Sequence, residues 1–264
     1  MKKFIHKIAS DQNVRRLSLI GTILMFLLFY DRAGRHKQRA LSGDLLVHVE
    51  HLESGNDFIT TEEMRDRVKK KFQSEYTNVP MSRLSPLEME ASLKSLDFIK
   101  TADVYVDGNN RLNVYVTQRE PVFRLLTPDG HSFYVDHDGT TMPSSMHYSP
   151  RVLVVFASVS VMKDTLTISK PGKEKDIYQF AHRIVDDKIL NALIEEIIVD
   201  ERGEWTLIPK LGPSRIYLGN LDRLEEKITA LKRVFKEILP VEGWEKYYSI
   251  NLKYNGQVIC SKRA

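Results

Sequence analysis

Cysteine is nearly missing from this chain. Among 264 residues only Cys260 carries a thiol, so no intrachain disulfide and no cysteine-based zinc site can form. Folds of either compartment manage without disulfides, so this scarcity leaves the location open. Linear catalytic signatures are also lacking: there is no Walker loop, dinucleotide fingerprint, Gly-x-Ser-x-Gly elbow or His-Glu-x-x-His sequence. A basic excess is lacking where it would matter. The net charge of +4 divides into +7 over residues 1–39 and −3 over the rest. The body is mildly acidic and has no basic stripe with interleaved aromatics, which argues against nucleic-acid binding. Long apolar runs are scarce as well, and only Leu17–Tyr30, LSLIGTILMFLLFY, stands out.

That run is uncharged and lies between Arg16 and Asp31-Arg32. Its 14 residues span about 21 Å as a helix, short of a hydrocarbon core of about 30 Å. A membrane anchor, a cleaved signal and a buried helix are the three readings of such a segment. Small residues should precede a signal cleavage site, whereas here Phe29-Tyr30 leads into a charged stretch. A buried amphipathic helix should keep one polar face, and this run has none. Arginines at both ends can snorkel to lengthen the span. The segment therefore reads as an uncleaved anchor, with Leu17, Leu24, Phe26, Leu28 and Tyr30 among its lipid-facing residues. Five Lys/Arg precede the run and four follow it closely, so the positive-inside rule barely favours a cytoplasmic N-terminus.

After a short charged connector, Leu45–Val49 alternates as a strand. Thr60 with Glu63 predicts a capped helix carrying Met64, Val68 and Phe72 at four-residue spacing. Ser85-Pro86 opens a second helix with Leu87, Met89, Leu93 and Leu96 on one side. Two period-two strands follow, 101–106 and 111–117, joined by Asp107-Gly108-Asn109-Asn110. The order β-α-α-β-β predicts a small α+β module. From Pro121 onward short strands dominate: 122–126, 131–135, 151–156, 194–199, 205–210, 215–218, 247–252 and 257–260. A helix is predicted over 176–185 and a long amphipathic one over Leu221–Leu239. The last strand is terminal, which predicts a place at a sheet edge, where free N–H and C=O groups can accept another chain.

Polar constellations with catalytic or metal-binding potential are few. His131, Asp136, His137 and Asp138 are the densest, but Asp and Gly there serve turn geometry first. His48 and His51 are three apart at a strand end. Glu195 and Glu196 are adjacent and would face opposite ways. No catalytic, cofactor-binding or metal site is expected.

Several segments together resemble the FtsQ/DivIB family of bacterial cell-division proteins. They are the basic tail with a single anchor, Leu93–Val104 (LKSLDFIKTADV), Asn113–Val122 (NVYVTQREPV), Asp136–Pro143 (DHDGTTMP), and above all Leu218-Gly219, the helix after it and Ile250–Val258 (INLKYNGQV). Two departures are the short anchor and Asn251, where the family usually has Asp. The resemblance implies an α+β chain: tail 1–16, transmembrane anchor 17–34, connector 35–43, POTRA-like domain 44–119 and β-domain 120–264. The β-domain would be mixed, mostly antiparallel, with a long C-terminal helix and a terminal edge strand. The implied function is a non-enzymatic divisome scaffold for septal cell-wall synthesis. It would sit single-pass in the inner membrane at the division septum, tail in the cytoplasm and body in the periplasm. The implied partners are FtsB-like and FtsL-like coiled-coil proteins, with no cofactor, nucleic acid or small-molecule substrate. Carried over by position, Lys253, Tyr254, Gly256, Val258 and Cys260 lie on or beside the docking edge, and Tyr254 either anchors the partner or closes the core. A POTRA-bearing envelope transport or assembly factor is the alternative reading, and an envelope enzyme is a third.

Overall fold

The computed structural model describes residues 12–39, 44–76, 80, 83–145, 148–159, 161–162, 165–166, 172–212 and 214–263. The tail up to residue 11, residues 40–43 of the connector and Pro213 of the predicted turn lie outside them. The chain forms two compact units. One contains the residues up to Glu50 with Thr60–Lys94 and Thr101–Val116; the other contains His51–Ile59, Ser95–Lys100 and the chain from Thr117 onward.

The first helix, α1 (Gln12–Arg39), is 28 residues long and continues through much of the expected connector. Arg, His, Lys and Gln after Gly34 are helix-compatible residues, and no proline intervenes. The expected transmembrane helix is not found: among the described residues no helix is long and apolar enough to cross a membrane. The physical reason is the charge at both ends of a 14-residue apolar stretch.

The small sheet comes from β1 (Leu45–Glu50), β2 (Ile99–Val106) and β3 (Leu112–Gln118), in the order β1-β3-β2. The capping box forms as its sequence requires. Glu63 N–H donates to Thr60 Oγ1 at 3.2 Å, and Thr60 N–H donates to Glu63 Oε2 at 3.0 Å, which starts α2 (Thr61–Tyr76). Met64, Val68 and Phe72 are buried on one stripe of α2, which packs on β1. Pro86 opens α3 (Pro86–Lys94), which buries Met89 and Leu93 but leaves Leu87 exposed, contrary to its expected place on the apolar side. Between β2 and β3, Asp107 Oδ1 accepts the N–H groups of Asn109 and Arg111, and Asn110 takes the positive φ of 60° that closes the turn.

In the second unit nine strands form one sheet. They are β4 (Pro121–Leu126), β5 (Ser132–Asp136), β6 (Thr141–Pro143), β7 (Leu153–Ala157), β10 (Ile194–Val199), β11 (Trp205–Pro209), β12 (Arg215–Gly219), β13 (Tyr247–Asn251) and β14 (Ile259–Lys262). Their spatial order is β14-β13-β12-β11-β10-β7-β4-β5-β6. The pairs β4–β7, β7–β10 and β12–β13 are parallel and the other five antiparallel, so the sheet is mixed and mostly antiparallel. Two short strands, β8 (Val161–Met162) and β9 (Thr165–Leu166), pair separately.

Helices α4 (Lys173–Val185), α5 (Lys188–Leu193) and α6 (Leu224–Arg233) contribute to the core with the sheet's alternate residues. Phe180 meets Trp205 edge-on at 5.3 Å, amid buried Ile177, Leu207 and Ile250. Alternation brings Trp205 and Leu207 to one face of β11, the helix α4 presents Ile177 and Phe180, and burying each large apolar side chain contributes about 2–3 kcal/mol. Helix α5 escaped the sequence pattern because it is only six residues long. Asp187 starts it, its Oδ1 accepting from Ile189 and Leu190 N–H at 3.1 and 3.2 Å. Its Oδ2 takes Lys232 Nζ, and Arg183 Nη1 at 3.3 Å, so one carboxylate joins α4, α5 and α6.

The long C-terminal helix expected over Leu221–Leu239 is not a single α-helix. Helix α6 gives way to a π turn (Val234–Ile238), and a four-residue helix, α7 (Leu239–Glu242), follows. Pro240 supplies the reason: it has no N–H to give the carbonyl four residues back, and its ring crowds that carbonyl. The chain widens to the π pattern just before it, with Leu239 N–H reaching Val234 O.

Candidate partner-docking edge

The nine-stranded sheet ends at β14, beyond which no strand is paired among the described residues. Two hydrogen bonds orient this edge. Leu252 N–H donates to Tyr217 O at 2.9 Å, and Arg263 N–H donates to Lys246 O at 3.0 Å. Since backbone groups alternate direction along a strand, Ile259 and Ser261 pair inward with β13. The N–H and C=O groups of Cys260 and Lys262 therefore point away from the sheet. The register is Asn251↔Ile259, Ile250↔Cys260 and Ser249↔Ser261, with a bulge at Tyr248 that increases twist near the edge.

Most of the residues singled out from sequence lie beside this strand rather than on it. Lys253, Tyr254, Gly256 and Val258 belong to the turn that precedes β14, and only Cys260 is in the strand. The predicted strand 257–260 begins two residues later because Asn255-Gly256, with Gly256 at φ +66°, extends the turn. Tyr254 is 55% exposed and does not close the core. Val258 is half-buried and packs on the core, as does Cys260, whose thiol burial pushes up in pKa. Asn251, the departure from the family pattern, organises the turn: its Oδ1 accepts from Lys253 N–H at 3.0 Å. Ile259, 43% exposed, and Tyr248 were missed as exposed apolar groups of this region. Extending the alternation past Cys260 into Ser261-Lys262 would have found the first.

A groove of about 620 Å³ runs between α6, the π turn and this loop. Ala230, Val234, Ile238, Leu252, Tyr254 and Val258 line it, and Arg223 and Arg233 are also at its wall. Lys227 is buried beside it, its Nζ donating to Asn220 O at 2.7 Å and Asn220 Oδ1 at 3.2 Å. Desolvation, then the Arg223 charge, holds this ammonium below the usual lysine range. The surface thus combines an apolar lining, mixed charge (Arg223 and Arg233 with Glu225 and Glu226) and an open backbone edge. It suits a polypeptide more than a small reacting molecule.

The other polar constellations do not converge. Asp136 is committed to the fold: Oδ2 accepts from Arg119 Nη1 at 2.8 Å, and Oδ1 accepts from Asp138 and Thr140 N–H. His131 pairs with Asp129 in an exposed turn, Asp138 with Lys100, and His51 with Asp57. Among the described residues no group of three or more His, Cys, Asp or Glu is placed to hold a metal ion. Glu195 and Glu196 lie at a β-bulge, and burial, then Glu195, raises the Glu196 pKa. A cavity of about 940 Å³ near the starts of β4, β7 and β10 mixes Lys100, Arg124, Arg151 and Lys210 with Glu53 and Glu195. Lys210 in it donates to Asn191 O at 2.8 Å. Along α1, Leu17, Leu24, Phe26, Leu28 and Tyr30 are all exposed, the least of them 57%.

Residues 120–261, just over half the chain, match the family described as FtsQ/DivIB, C-terminal related. Residues 44–117 match the POTRA-like domain. No curated protein matches the chain.

Proposed function

We infer the function from a premise of membership: this chain belongs to the FtsQ/DivIB C-terminal-related family, and its large sheet ends in a strand with no further partner strand among the described residues. It acts as a non-enzymatic scaffold of the division machinery, binding proteins rather than turning over a substrate. The POTRA-like domain serves recruitment to the division site. The β-domain captures an FtsB-like coiled-coil protein, with an FtsL-like protein held in the same assembly, and so links early and late division proteins. The observation that carries this reading is the outward-facing backbone of Cys260 and Lys262. An incoming strand gains main-chain hydrogen bonds there, while Tyr254 and the groove beside α6 supply side-chain contacts.

The exposed apolar run of α1 supports attachment to the cytoplasmic membrane, with the body on the periplasmic side. Eleven large hydrophobics from Leu17 to Tyr30 are exposed among the described residues, and an apolar patch of that size calls for lipid or another protein.

The test uses the edge directly. Lys262→Pro removes an outward N–H while leaving the inward ladder of β14 intact, a position that tolerates proline. Pull-down of the FtsB-like protein from the native cell should weaken at least tenfold, and Tyr254→Ala should weaken it further without unfolding the chain. Depletion should give filaments lacking septa. Capture unaffected by both substitutions refutes the edge assignment, and normal division after complete depletion refutes the scaffold itself.

A further inference from the structure

We propose that Arg223 is the residue that positions the docking loop, an inference that rests on the partner-binding reading of this edge. It stands at the start of α6 with φ 53° and ψ 35°. Among the described residues only Asn110 shares such a positive φ without being glycine. Asn110 sits in a hairpin turn where its residue type is at home; an arginine in left-handed backbone is unusual. Helix starts favour Ser, Thr, Asp or Asn, whose short side chains accept from the first free N–H groups. Arg223 makes no such cap. Local preference is thus broken twice at one residue, and the helix gains no capping bond in return.

What Arg223 does make is a tie across 32 residues of chain. Its Nη1 donates to Asn255 Oδ1 at 2.6 Å, and Nη2 reaches Lys253 O at 3.5 Å. The same Nη1 also forms an ion pair with Glu226 Oε2 on its own helix at 3.4 Å. The base of the loop is secured by other bonds: Leu252 N–H to Tyr217 O, Lys253 N–H to Asn251 Oδ1, and the Lys253–Glu204 ion pair. Gly219 packs against the Lys253 stem, where an added Cβ would stand 3.0 Å from Cγ. None of these reaches the tip, where Tyr254, Asn255, Gly256 and Gln257 are exposed. The Arg223 guanidinium does. It holds the tip toward α6 and thereby sets the mouth of the groove and the path into β14, which begins three residues after Gly256. The strained backbone sits where a charged donor meets the loop, and a flexible tip would have to be ordered anew at each binding event.

Two substitutions separate this role from helix stability. Arg223→Gly keeps the left-handed backbone at no steric cost and removes the tie; Asn255→Ala removes the acceptor and leaves α6 untouched. On the full chain, exchange at the bonded amides that flank the loop tip, Lys253 (to Asn251 Oδ1) and Ile259 (paired with Asn251), should accelerate about tenfold in each variant, the loss of about one charge-assisted hydrogen bond. Amides of β10–β12 should not change. Binding of the FtsB-like protein from the same organism, co-expressed and measured by biolayer interferometry, should weaken about tenfold, and the double variant should be no worse than either single one. Unchanged exchange at the loop overturns the proposal. So does faster exchange with unchanged binding, provided Lys262→Pro abolishes binding; the docking reading then stands and the role of Arg223 does not. If Lys262→Pro also leaves binding intact, the docking reading itself fails.

Discussion

Asp187 offers a quantitative test of how the helical layer is held to itself. Its carboxylate is 10% exposed and has four partners: two backbone N–H groups, Lys232 and Arg183. Burial alone would raise its pKa, yet the Lys232 hydrogen bond and the N–H groups of Leu190 and Ile189 hold it down at about 2, against 3.8 for a free side chain. At 1.36 kcal/mol per unit this difference is about 2.4 kcal/mol, and screening of the partly exposed Lys232 and Arg183 reduces it to about 1–2 kcal/mol. Asp187→Asn keeps an oxygen for the cap and removes the charge, so it should cost that amount at pH 7. Asp187→Ala should cost about 1 kcal/mol more by losing the cap. The sign follows from the depressed folded pKa: the stabilisation is complete above the unfolded value and is lost as pH falls through the folded one. About half should remain at pH 3 and little at pH 2. Urea unfolding of the full chain, followed by fluorescence of buried Trp205, measures both variants against the parent between pH 7 and 3. A penalty for Asp187→Asn that does not shrink with falling pH refutes the charge argument. Equal stability of the Asn and Ala variants refutes the cap.

His182 carries a second pH dependence: burial and then the nearby His137 hold its pKa below the usual histidine range, and its Nε2 is buried with no hydrogen-bond partner among the described residues. The unfolded chain takes up the proton first, so stability should fall as pH drops through about 6.5, and His182→Gln should flatten the melting temperature between pH 7.5 and 5.5. Phe180→Ala should cost about 3–5 kcal/mol, because it empties the space against Trp205, and the near-ultraviolet circular dichroism of that tryptophan should weaken. Leu24→Lys with Phe26→Glu should leave the denaturant midpoint of the β-domain unchanged while moving the chain from the membrane pellet to the supernatant; continued sedimentation with membranes would refute attachment through α1.

Local patterning made much of the fold legible. The Thr60–Glu63 capping box, the alternation of Trp205–Pro209 and the buried stripe Met64, Val68, Phe72 are all set by residues within one or two turns of each other. Elements escaped where the signal was short or set at a distance. Helix α5 is six residues long, β6 is three, and the π turn answers to Pro240 downstream. The Arg119–Asp136 pair and the Gln118 side chain accepting from Phe58 and Ile59 N–H join segments that no periodicity connects.

The docking edge divides in the same way. Sequence alone determined that Asn255-Gly256 turns the chain, that a short strand follows this turn, and that a 14-residue apolar run lies between charged flanks. These are properties of neighbouring residues, governed by backbone preference and side-chain transfer to or from water. Tertiary structure decided that β14 lies at the margin of nine strands, that Cys260 and Lys262 present their backbone outward, that Tyr254 is exposed rather than buried, and that Arg223 reaches the loop from 32 residues away. Edge position depends on which strands find which partners, and a chain's partners are chosen by the packing of the whole sheet.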